Sequence, residues 1–262
     1  MAGDHSGNRR LEPTAVFKGV GDALAGHWAW LLVACIVLSF IPQFTAALII
    51  GHLSQIGSIP RTGLAANAAR TLIRAVVNFA PAEVLFSLIC RRFAGDSDGS
   101  GARLPALAGL DRAPILLLTR AMTIIAVTCG VIFFVVPGVL FSLAWAVAAP
   151  VVVVERLGPP RCFERSAELT RNHRGTIFLL GVIYTLGATV FGFAFGLSVG
   201  LVERAVGLPP AAIQVWISAA TVAIAGMAGV AISSLGVAVI YRELIRLRGG
   251  DAAASLLAKV FD

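Results

Sequence analysis

Few side chains among the 262 residues are of a type that does chemistry, and their spacing says more than their number. His5, His27, His52 and His173 stand apart from one another. No nucleophile elbow, no H-E-x-x-H helix and no phosphate-cradling glycine loop accompanies them. Nucleophilic or metal-assisted catalysis needs an activated group within hydrogen-bond reach of its base, and this pattern arranges none. No catalytic residue, cofactor site or metal site is expected. Cys35, Cys90, Cys129 and Cys162 lack paired zinc spacing, and Cys35 and Cys129 fall well inside apolar runs, so they read as small buried residues in a reducing compartment.

Two constellations remain. Glu83 lies just before the end of one apolar run and Arg120 just after the start of the next, each roughly 10 Å inside the same boundary, so the two charges are placed to meet. A lone charge in lipid is expensive, and such a pair either locks a helix bundle or marks a path for a solute or proton. The second constellation is the basic segment Arg156, Arg161, Arg165, Arg171, His173 and Arg174. Beside a membrane it would attract anionic lipid headgroups, although ordinary topological anchoring accounts for it as well.

The elements that must carry these residues are apolar helices. Hydrophobic residues make up 58% of the chain and charged ones only 13%, against about 25% in soluble domains. Mean hydropathy is +0.87, which excludes an ordinary soluble fold. The class expected is all-α: a polytopic membrane bundle of six transmembrane helices plus short interfacial amphipathic helices. A disordered cytoplasmic tail at 1–13 leads into a membrane domain at 14–248, followed by a cytoplasmic tail at 249–262. Runs long enough to cross about 30 Å of hydrocarbon fall at about 27–53, 64–90, 115–136, 139–154, 176–202 and 211–240.

Helical spacing of Val16, Phe17, Val20 and Leu24 predicts a surface helix at 14–25, and Pro42 predicts a kink in the first span. Pro137-Gly138 reads as a turn. The fourth span is short, at roughly 24 Å, and leads to an amphipathic helix at 160–171. Gly192, Gly196 and Gly200 recur at four-residue spacing, as do Ala225, Gly229 and Ser233; the expectation is that these stripes pack the last two spans together.

Net charge is +7. On a soluble chain that would raise nucleic acid as a partner, but here the distribution explains it and no nucleic acid is expected. All but five of the 21 Lys and Arg fall before the first span, at 91–112, at 155–175 or after Tyr241; the exceptions are Arg61, Arg70, Arg74, Arg120 and Arg204. The positive-inside rule then predicts both termini in the cytoplasm of a bacterial inner membrane.

The order Val-Pro-Gly, apolar span, Pro150-Val-Val-Val-Val-Glu155, Arg165-Ser-Ala-Glu-Leu-Thr-Arg-Asn-His-Arg-Gly175 and Ile240-Tyr-Arg-Glu-Leu244 resembles the glycerophosphoryl diester phosphodiesterase membrane-domain family and its uncharacterised bacterial relatives. That family often carries an arginine shortly before the proline of the fourth span, where this chain has Leu143-Ala144-Trp145. The resemblance implies a six-helix inner-membrane fold. The phosphodiesterase activity belongs to a soluble barrel whose acidic and histidine residues these 262 residues do not supply. The reading that follows is a non-catalytic membrane module that associates with membrane lipids, a protein partner or a second copy. The alternative is a small transporter or permease using Glu83 and Arg120, and a lipid-modifying enzyme ranks third.

Overall fold

A widened helical turn and a broken helix, each beside a proline, shape a chain that is otherwise helix joined to helix. A computed structural model describes residues 11–55, 57, 63–94, 113–133, 135–207 and 211–261. The polar tail up to residue 10 and the loop at 95–112 lie outside the described residues. No strand occurs among the described residues.

The path begins with α1 (Pro13–Cys35), a π-helical turn (Ile36–Phe40) and α2 (Ile41–Gln55), which follow one another without a gap. Pro13 stands at the first position, where a missing N–H costs nothing. The surface helix expected at 14–25 and the span expected at 27–53 are thus one helical path. Their boundary survives as a kink at His27, whose φ of −135° and ψ of 23° are not helical. Pro42 cannot donate to the carbonyl one turn before it, and the wider π turn immediately upstream absorbs that missing bond.

The remaining helices are α3 (Leu64–Ala94), α4 (Ala113–Phe133), α5 (Val135–Ala144), α6 (Ala148–Val154), α7 (Pro159–Thr170), α8 (Arg174–Val206) and α9 (Ala211–Phe261). Among the described residues, five stretches are long and apolar enough to cross a membrane: Pro13–Gln55, Ala65–Phe93, Val136–Val154, Arg174–Val206 and Ile213–Arg248. A shorter apolar stretch, Pro114–Gly130, lies in α4.

One boundary differs from expectation. Pro137-Gly138 is not a turn: Pro137 occupies the first turn of α5, where its ring is tolerated. The segment from 249 onward continues α9 as helix to Phe261.

The core centres on α6. Val147, Ala148, Val151, Val152 and Val153 are buried, so this short helix is covered on all sides, by α3, α4, α7 and α9. Leu85 and Ile89 of α3, Leu116 of α4, and Leu235, Val239 and Tyr241 of α9 close around it.

Close helix approaches use glycines other than those expected. A Cβ on Gly130 of α4 would stand 2.9 Å from the Cα of Gly138 in α5. Gly226 of α9 leaves room for the Gln43 side chain of α2, whose amide also donates to Ser39 Oγ at 2.8 Å. By contrast, a Cβ on Gly192, Gly196 or Gly200 would meet nothing within 4 Å, and one on Gly229 would meet only the Tyr184 hydroxyl, at 3.6 Å. The expected packing of the 192/196/200 stripe on Ala225, Gly229 and Ser233 is therefore corrected: α8 stands away from α9 along this face. Small residues permit close approach only where larger neighbours do not hold the helices apart, and here Tyr184 and Phe191 occupy the same side of α8.

Gly130→Val should lower the thermal midpoint of the detergent-solubilised protein, consistent with an overpacking cost of about 1–3 kcal/mol. Gly196→Ala should leave it unchanged or raise it slightly, and equal losses from both would contradict this packing.

Candidate functional site

Pro150 has no N–H, so no helix can bond residue 150 to the carbonyl of Ala146. The chain answers with a break: α5 ends at Ala144, residues 145–147 form a turn, and α6 restarts at Ala148 with Pro150 in its first turn. The Ala148 N–H, which would have served Ala144, donates instead to the Trp145 carbonyl at 3.1 Å. The Ala144 carbonyl is left buried without a helical donor. Ser166 Oγ donates to it at 2.8 Å and Thr170 Oγ1 at 3.2 Å, both from α7 and both fully buried. Four-residue spacing stacks these hydroxyls on one helix face, and the single Thr170 proton is shared between the Ala144 carbonyl and the nearer Ser166 carbonyl, at 2.9 Å. Trp145, in the break, packs on Phe141 and Phe163 with ring centroids 5.2 and 4.5 Å apart.

Glu155, which ends α6, extends the attachment. Its carboxylate accepts from Arg165 Nε at 3.1 Å and from the Tyr241 hydroxyl at 3.0 Å, joining α6 to α7 and α9. Arg165 also reaches Glu168 at 3.6 Å, and Arg248 of α9 reaches the same Glu168 oxygen at 3.4 Å. The charges at three-residue spacing on α7 thus serve contacts between helices as well as within one. The other face of α7, with Cys162, Ser166, Leu169 and Thr170, is covered by protein. Burial pushes the Cys162 thiol up to about 11.

Of the sequence-predicted residues, Glu83 and Arg120 are brought together, with Arg120 Nε 3.1 Å from Glu83 Oε1. The carboxylate side chain is 9% exposed and the arginine 49%. The basic segment is divided. Arg165 is engaged as described; Arg156, Arg161 and Arg171 are exposed, Arg156 with a positive φ of 56°. Arg174 is half-buried, and its Nε is enclosed without a hydrogen-bond partner. Its neighbour His173 accepts from the Leu11 N–H at 3.4 Å, which ties the start of α1 to the start of α8.

Beside these residues lies an apolar groove of about 750 Å³ between α1, α5, α8 and α9. Gly192, Ala225, Gly229 and Ser233 line it instead of packing together. Among the described residues, no group of three or more metal-ligating side chains occurs.

Residues 98–244 match a family described as Domain of unknown function (DUF7847). The chain belongs to this family. The matched stretch runs from before α4 to Leu244, so it contains Ala144, Glu155, Arg165, Ser166, Thr170 and Tyr241, whereas Glu83 lies outside it. No curated protein and no solved structure matches the chain.

Sequence reading missed the Ala144 cap and the Glu155–Arg165–Tyr241 contact. A signal existed in Pro150, which implies a free carbonyl upstream, and in Ser166 and Thr170 at helical spacing. Nothing in the sequence said which carbonyl they would meet.

Ser166→Ala or Thr170→Val alone should cost little, because the other hydroxyl still serves Ala144. Together they should destabilise by about 1–3 kcal/mol, the cost of an unsatisfied buried acceptor, seen as a more-than-additive fall in thermal midpoint. Cys162 should alkylate slowly at neutral pH. Because its folded pKa is raised, its contribution to stability is full below an ordinary thiol pKa and is lost as pH rises through about 11. Rapid maleimide labelling of the folded protein at pH 7 would contradict this.

Proposed function

We propose that this protein is a non-catalytic module of the bacterial cytoplasmic membrane, with six spans and both termini in the cytoplasm, that associates with lipids, a protein partner or a second copy. The observation that carries the reading is the mutual engagement of charges between helices. Glu83 holds Arg120, and Glu155 holds Arg165 and Tyr241. Charges closed on one another in this way fix helices in place, whereas a path for a solute needs groups that exchange partners.

The threading is supported by what meets at one end. His27 Nε2 lies 3.0 Å from Arg92 Nη2, Leu11 reaches His173, Glu155 meets Tyr241, and Arg248 meets Glu168. These are the segments that the positive-inside rule assigns to the cytoplasm. Away from them, Phe44 of α2 meets Trp216 near the start of α9. A sixth span is supported by α4, whose 21 residues extend to about 31 Å. The kinked segment before His27 and the charged face of α7 fit a position at the membrane boundary. The segments that resemble the glycerophosphoryl diester phosphodiesterase membrane-domain family, Pro150–Glu155 and Arg165–Gly175, are those that build the attachment of α6 to α7, which supports reading the likeness as one of scaffold.

A permease remains the second reading because Arg120 is half exposed, so the buried Glu83 has a partner able to leave. Crosslinking in native membranes followed by co-purification should recover a stable protein partner, a second copy or retained lipid. Glu83→Gln and Arg120→Met should have non-additive effects on stability. Solute uptake by reconstituted vesicles that is abolished in Glu83→Gln would overturn the module in favour of the permease.

A further inference from the structure

We propose that the first half of α1, residues 13–26, is a lid on the groove between α5, α8 and α9, clasped at both ends by a neutral histidine and released when those histidines take up protons. The inference goes beyond the module reading and does not depend on it. Val16, Phe17 and Val20 of this segment form one wall of the groove, whose other walls are α5, α8 and α9. The segment ends at His27, where a φ of −135° and a ψ of 23° interrupt the helix, so a hinge is already in place. Gly19 sets the closed position: a Cβ there would stand 2.9 Å from Val239 Cγ1 and 3.3 Å from Arg242 Nη2, both of α9. Little else holds the segment down, since only Leu11, Val16 and Ala23 are buried between residues 11 and 26.

Both clasps need an imidazole lone pair. A guanidinium can only donate, so the 3.0 Å contact of Arg92 Nη2 with His27 Nε2 makes that nitrogen the acceptor and puts the ring proton on Nδ1. Nδ1 is enclosed without a hydrogen-bond partner, and the ring stands edge-on to Phe93, with centroids 5.4 Å apart. At the other end the Leu11 N–H donates to His173 Nδ1 at 3.4 Å, which requires that ring's proton on Nε2. Protonation turns each acceptor into a donor, so that His27 presents an N–H to a guanidinium and His173 an N–H to the Leu11 N–H. Neither contact survives that change, which histidine undergoes between about pH 5 and 8. The surrounding charges do not compensate. Arg91 and Arg92 of α3, Arg242 of α9, Lys18, and Arg171 and Arg174 beside His173 are all cationic. Among the acids of these elements, Glu83 is held by Arg120, Glu243 by Arg246, and Glu168 by Arg165 and Arg248. Glu12, Asp22 and Glu164 are exposed, where water and salt screen their attraction for an imidazolium.

The test uses the full chain in phosphatidylcholine nanodiscs, with the exposed Cys129 changed to Ser and spin labels at Thr14→Cys on the lid and Leu186→Cys on α8, both exposed positions. Pulsed electron–electron double resonance reads the separation of the labels at about pH 7.5 and about pH 5.5. A form with a longer separation should grow in acid, its ratio to the closed form rising by up to about tenfold per pH unit for each proton that opening takes up. A glutamine places Oε1 where His27 has Nε2, and an asparagine places Oδ1 where His173 has Nδ1. The double variant His27→Gln, His173→Asn therefore keeps both acceptors without their titration, and it should stay closed at both pH values. Gly19→Leu cannot seat on Val239 and should be open at both, which supplies the separation of the open form. A thermal scan checks that each variant folds. A wild type whose separation is the same at the two pH values overturns the lid, and a folded double variant that opens in acid as the wild type does overturns the histidine clasps. Both results leave the module reading standing, since that reading falls to solute uptake dependent on Glu83.

Discussion

Everything at the centre of this protein depends on one backbone carbonyl. Pro150 forces the fourth apolar stretch to break, and the break strands the oxygen of Ala144 where neither water nor helix can reach it. An unsatisfied carbonyl in such a place costs a few kcal/mol, so a donor must be brought from elsewhere. Ser166 and Thr170 are that donor, and α7 must dock against the break to deliver them. Once α7 is docked, Arg165 stands beside Glu155, and Glu155 in turn orients Tyr241. A defect in one helix thereby fixes the positions of two others.

The same arrangement explains why the molecule is dense in one part and open in another. The short helix α6 is enclosed, and residues from four other helices close around it. The helix α8 begins immediately after α7 and is held at its base, through Leu11 and His173, and midway, through Tyr184 and Gly229. Tyr184 is long enough to bridge to α9 while keeping the backbones apart, which leaves the glycines of α8 facing space. In water such a groove would collapse or attract a partner. Between helices in lipid there is no strong hydrophobic drive to close such a groove.

Membership of a family without an assigned function adds a boundary and no chemistry. The matched residues take in the break, its cap and the Glu155 contact, so these bonds lie in the part of the chain that defines the family. That concentration fits a scaffold whose polar side chains hold helices in place.

Much was legible from composition and spacing because the forces concerned are additive along the chain. Apolar runs of the right length specify helices and their order without knowledge of what touches what. The meeting of Glu83 with Arg120 was legible for the same reason, since depth along two adjacent helices is counted in residues. The rest was not additive. Whether Gly192 faces a helix or a groove depends on how far Tyr184 holds α8 from α9, and whether Ser166 caps a carbonyl depends on where a break in another helix places it. Distances between separate helices are set by all the side chains between them at once, and no stretch of sequence contains that sum.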